Sequence, residues 1–224
     1  MITSHQPTIF PANITVRISS LEDGSMKDGA DILTANAERN RQHFLESCQM
    51  PIARSAIFYA TFDGTDYCRD SVAEPGTITP ADALVTRQPQ VSLFLPLADC
   101  TGAVLYDARQ NILMLSHLGR HSTEQHGATR SAMYLHDTFG TDPADIRVWL
   151  SPSPNSDAYP LWTFDNRSFK EVLSEQFHTA GVPKGSIEIS EVDTVTDSRY
   201  YSHSEFLKGN RSTDGRYAIA AMIR

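Results

Sequence analysis

Residues Leu93–Arg130 read LFLPLADCTGAVLYDARQNILMLSHLGRHSTEQHGATR. The apolar runs Val91–Leu97 and Ala103–Tyr106 flank Asp99-Cys100, and a third run, Ile112–Leu115, leads straight into His117. Short apolar runs bounded by turn residues predict buried strands. The polar segment Asp107–Asn111 predicts the turn between the second and third, so a hairpin separates Cys100 from His117. Each of these two residues then falls where a strand ends or breaks. A thiolate and an imidazole meeting there suit a borderline-soft cation such as zinc. The same residue types also serve as a small buried apolar side chain and a hydrogen-bonded loop histidine.

The 224 residues fall within the range of one domain, and a 40% hydrophobic composition can bury a substantial core. A formal net charge of −8 without a block of Lys or Arg argues against nucleic acid as a partner. Three cysteines without framework spacing point to a reducing compartment. Met1–Pro11 lacks a basic stretch followed by an apolar one, and no run approaches a membrane span. The expectation is a cytoplasmic protein with no membrane partner.

Around the central unit, Ile14–Ile18 alternates as a strand and Leu21–Ala30 reads as a loop. Asp31–Cys48 predicts a helix with Ile32, Leu33, Phe44 and Leu45 on its apolar side and Arg41 on its polar side, stopped by Pro51. Ala56–Phe62 predicts a strand running into an Asp63-Gly64 turn, and Tyr67–Pro80 a polar connection. Ala81–Thr86 is a short buried element. Ser122–Phe139 predicts one helix, capped by Ser122 and closed by Gly140. Strands at Ile146–Leu150, Ser186–Ile189 and Arg216–Met222, and a helix over Asn166–Ala180, complete the chain. Intermixed strands and helices place the fold in the α/β or α+β class.

Ala98-Asp99-Cys100 followed by Ser116-His117-Leu118-Gly119 resembles the laccase-domain family, also called polyphenol-oxidase or multicopper-oxidase-like, whose members show A-D-C and then A-H-x-G-W-R-G. Ala81–Thr86, Asn40-Arg41, Ser151-Pro152, Tyr159, Tyr200-Tyr201-Ser202 and Gly215-Arg216 agree with further family signals in order. The resemblance implies one domain over residues 1–224, a layered α/β sandwich with mixed, largely antiparallel sheets. It departs from the pattern at several points. Asp63 stands where the family has the first His ligand, Gly119-Arg120-His121 replaces G-W-R, Ser151 replaces Gly, and His203-Ser204 replaces Tyr-Arg.

The resemblance implies a zinc-containing enzyme of the purine nucleoside phosphorylase or adenosine deaminase type. The chain lacks the many histidines a copper cluster demands. Its implied zinc ligands are Asp63, Cys100 and His117. Cys100, His117 and Arg120 are the implied catalytic groups, with Arg41 and Tyr201 toward a purine nucleoside and inorganic phosphate as co-substrate. Asp63 can equally form an Asx turn with Gly64. Because the departures cluster at the implied site, a catalytically weak member that binds a nucleoside-like ligand is a second reading. A metal-free hydrolase with a Cys100 nucleophile and His117 as base is a third.

Overall fold

The computed structural model describes residues 1–224. In chain order the elements are β1 (Ile14–Ile18), α1 (Ala35–Ser47), β2 (Ser55–Tyr59), β3 (Asp70–Val72), β4 (Ile78–Pro80), β5 (Ala83–Thr86), β6 (Ser92–Leu97), β7 (Thr101–Asp107), β8 (Ile112–Leu118), α2 (Arg120–Glu124), α3 (Gly127–Phe139), β9 (Ile146–Leu150), α4 (Phe169–Thr179), β10 (Ile187–Ile189), α5 (His203–Leu207) and β11 (Tyr217–Ile223). They form two sheets, one ordered β1-β11-β6-β2-β4 and the other β10-β9-β7-β8-β5-β3. The long ladders are antiparallel, while parallel pairing is confined to short registers such as β2 with β4 and β3 with β5.

The apolar runs are continuous because both faces of each central strand are covered. On β6, Leu93, Leu95 and Leu97 pack between the sheets, while Phe94 points outward to Phe44 and Leu45 of α1. On β8, Leu113 and Leu115 join that central layer, while Ile112, Met114 and Leu118 pack under α3 and α4. β11 divides in the same way, with Ile219 and Ala221 inward and Ala220 and Met222 toward α1. The result is four layers, α1, sheet, sheet, and the α3–α4 pair. Phe94 is fully buried, and truncating such a ring to Ala costs about 3–5 kcal/mol.

Five expectations are corrected. The first helix begins at Thr34, whose side chain accepts from the Ala37 amide. Ahead of it, Leu33 is exposed, and Arg41 is buried rather than solvated. The polar connection Tyr67–Pro80 supplies the edge strands β3 and β4. The helix expected over Ser122–Phe139 is two helices, broken at His126, which adopts a left-handed conformation with φ 59°. Gln176 of α4 reaches into this break. Its Nε2 donates to the Thr123 carbonyl at 2.8 Å, and its Oε1 accepts from the Ala128 amide at 3.3 Å. One side chain thereby satisfies groups that both helix ends would leave orphaned.

β6 and β7 belong to different sheets, and only Ala98-Asp99-Cys100 joins them. Asp99 makes the crossing with φ 69°. Its Oδ2 accepts from the Ser204 amide at 2.7 Å, which ties the crossing to α5. The crossing puts Cys100 at the mouth between the sheets.

Candidate active site

Gly102 of β7 pairs with His117 of β8, so Cys100 falls beside Gly119 just past the end of the ladder. A Cβ on Gly119 would stand 2.9 Å from Sγ of Cys100 and 3.1 Å from Cε1 of His117. The two side chains therefore flank one backbone position, and both line a cavity of about 310 Å³. Burial, with Asp99 adding to it, pushes the Cys100 thiol up to about 12. Burial also pulls the His117 imidazole down to about 4. Both groups are neutral near pH 7. The thiolate–imidazolium pair that a cysteine hydrolase uses is not set up here.

Of the other expected site residues, Arg120 lines the cavity from the first turn of α2. Arg41 does not. It lies on the inner side of α1, where its Nη1 donates to the carbonyls of Met26 and Ile32, each at 2.8 Å. Arg41, which sequence periodicity placed outward, instead turns onto the preceding loop. It holds there the segment that carries Lys27. Tyr201 is buried in the core between the sheets and packs its ring on Gly215, next to Arg216, outside the cavity.

Asp63 is exposed and is not among the cavity residues. A hydrogen bond from the Thr61 hydroxyl, then one from its own amide, holds its carboxyl below the usual range. Asp63 lies in the bends that follow β2, beside Phe62, which does line the cavity. No three His, Cys, Asp or Glu side chains anywhere in the chain are placed to hold a metal. A catalytic zinc takes three protein ligands. The donor set here stops at Cys100 and His117, so the residues present do not fit the expected zinc centre.

What sequence reasoning missed is that Lys27 and Arg216 join Arg120 in the cavity's polar lining. Lys27, Arg120 and Arg216 supply three cations from three distant parts of the chain. Lys27 donates to the Gly29 carbonyl at 2.6 Å, and burial, then Arg216, lowers its pKa. Arg216 Nη1 donates to Oδ1 of Asp214 at 2.6 Å. His203 meets the same oxygen through Nδ1 at 2.8 Å. Burial raises the Asp214 pKa, but the bonds from Arg216 and His203 outweigh it and leave the carboxyl below its usual range.

Asp82 and Asp99 are 3% and 4% exposed, and each keeps one buried oxygen, Oδ1, without a partner. Oδ2 of Asp82 accepts from the amide and Nε of Arg69, both at 3.0 Å. At the opening, Tyr67 stacks on His121 with centroids 4.8 Å apart, and Phe62, 69% exposed, meets both rings.

The sequence profile of the family described as "multi-copper polyphenol oxidoreductase laccase" matches residues 27–169. The chain belongs to this family. Among curated proteins, a purine nucleoside phosphorylase of Bacteroides thetaiotaomicron is 24% identical over 168 residues. The match spans 63% of this chain and 60% of that relative's length. Among solved structures, YlmD from Geobacillus stearothermophilus aligns with a TM-score of 0.80 at 19% identity, over 95% of this chain and 93% of the other. Bacillus licheniformis hypothetical protein YfiH aligns at 0.79 and 18%, over 94% and 93%. These structures share the layered fold. No helix is long and apolar enough to cross a membrane.

Proposed function

We propose that this protein cleaves purine nucleosides by phosphorolysis, with inorganic phosphate as co-substrate. One observation carries the reading. The cavity presents three cations, Lys27, Arg120 and Arg216, on a wall that also carries Asp82 and Asp99. Clustered guanidinium and ammonium groups suit a phosphate. Phe62, Tyr67 and His121 at the opening offer flat apolar faces to the base. The relative's name, purine nucleoside phosphorylase, points the same way.

In this reading, phosphate sits among the three cations and attacks the anomeric carbon. The aromatic opening holds the base. The cations then stabilise charge as the glycosidic bond breaks. Cys100 and His117 are neutral and act as hydrogen-bonding groups in the cavity wall. No step is routed through zinc, because its donor set is incomplete. Phosphorolysis is preferred to deamination of adenosine for the same reasons: three cations await an anion, and no third ligand completes a site to activate water.

The test is an assay of adenosine, inosine and methylthioadenosine with and without phosphate. The reading expects free base and a sugar phosphate only when phosphate is present. Absence of product above a protein-free control would favour the binding-only alternative.

A further inference from the structure

His203 opens α5 at the cavity edge, where the family pattern carries Tyr. Its Nδ1 lies 2.8 Å from Oδ1 of Asp214. A carboxylate accepts, so Nδ1 carries the hydrogen and Nε2 is the nitrogen left for exchange. Nε2 makes no hydrogen bond within the protein. The cavity's other two imidazoles have no comparable hold. His117 has no side-chain hydrogen bond and a pKa drawn down by burial. His121 stacks on Tyr67, with Glu124 no closer than 3.8 Å. Asp214 also takes Arg216 at 2.6 Å, so a phosphate bound by Arg216 would stand next to the His203 ring.

We propose that His203, oriented by Asp214, relays a proton from bound phosphate to the departing purine base. The proposal rests on the phosphorolysis reading. Neutral His203 takes the hydroxyl proton of the phosphate at Nε2. A phosphate oxygen forms its bond to C1′ while the C1′–N9 bond breaks, its electron pair passing to the base. Nε2 then delivers its proton to N7 of that base. One proton has moved from phosphate to purine, the imidazole is neutral again, and no oxidant or reductant is needed.

The test compares inosine with 7-methylinosine, whose cationic base leaves as a neutral molecule without being protonated. Wild type, His203→Gln and His203→Asn are assayed in phosphate as full chains. The relay predicts that both variants lose about 100-fold in kcat on inosine, a usual span for one proton-transfer group. On 7-methylinosine, which needs no proton at N7 but still needs phosphate deprotonated, the loss is expected to be at least about tenfold smaller than on inosine, and the remaining turnover shows that they fold. Equal losses on both substrates would mean that His203 only supports the structure, and undiminished inosine cleavage would mean that it is idle. Either result overturns the relay and leaves phosphorolysis standing. A wild type inactive on both nucleosides overturns the phosphorolysis reading and the relay with it.

Discussion

Sγ of Cys100 and the imidazole of His117 close on one point, the α-carbon side of Gly119, from opposite strands of a single hairpin. Gly119 has φ −89° and ψ −177°, an extended conformation open to any residue. Its requirement for glycine is therefore contact, not backbone strain. Gly119→Ala would put a methyl 2.9 Å from the sulfur and 3.1 Å from the ring. The expected cost is about 1–3 kcal/mol of stability from overpacking, with loss of base release as the two side chains are pushed apart. Urea unfolding and nucleoside assays check this, and an unchanged midpoint with full activity would show that the wall is not tight.

The three cations should divide from the core residues in kinetics. Lys27→Ala and Arg120→Ala are expected to raise the KM for phosphate by about tenfold or more, the loss of one charge-assisted hydrogen bond. The melting temperature should move little, because Lys27 is only half-buried and Arg120 is exposed. Arg41→Ala should do the reverse in stability, since it leaves the carbonyls of Met26 and Ile32 without their donor. Phosphate titrations beside thermal melts separate the two classes.

The buried strands were legible in the sequence because β6, β7, β8 and β11 are covered on both faces, which writes them as unbroken apolar runs, while their layering was implied only by the family resemblance. The Cys100–His117 meeting was legible too, because one hairpin with a short turn fixes it locally. The helix break at His126 was not, since what stabilises it is Gln176, about fifty residues away along the chain. Arg41 was misplaced for a similar reason. Charge argued for solvent, while the loop carbonyls that bind it are a tertiary feature. Lys27, His203 and Arg216 come from two loops and a short helix, and no spacing links them. Gly215-Arg216 and His203-Ser204 did stand out as a family match and a departure. Those were the available signals.

Asp70 gives a pH signature. Burial, with Asp82 and Asp66 adding to it and Arg130 opposing, raises its carboxyl from 3.8 to about 7. The folded chain then binds more protons here than the unfolded chain between those values. Stability contributed by this group is present at low pH and is lost as pH rises from about 4 through about 7. Asp70→Asn should remove that loss and raise the melting temperature at pH 8 by a few degrees, with little change at pH 4. An equal shift at both pH values would contradict the assignment.

Asp63 should prove dispensable to the site. Its carboxyl is exposed and bonded to Thr61, away from Cys100 and His117. Asp63→Ala is expected to leave zinc affinity and nucleoside cleavage within about twofold of wild type, since a lost zinc ligand would weaken binding far more. A zinc titration against a competing chelator decides it, and a tenfold drop would show that the turn swings inward to ligate.

The most direct measurement is chromatographic quantitation of free base and sugar phosphate from inosine, with phosphate present and with phosphate omitted. The account predicts equimolar hypoxanthine and ribose 1-phosphate in phosphate, none without it, and at least a tenfold reduction by Arg120→Ala at low phosphate. Base release that is indifferent to phosphate, or no base release in its presence, would contradict it.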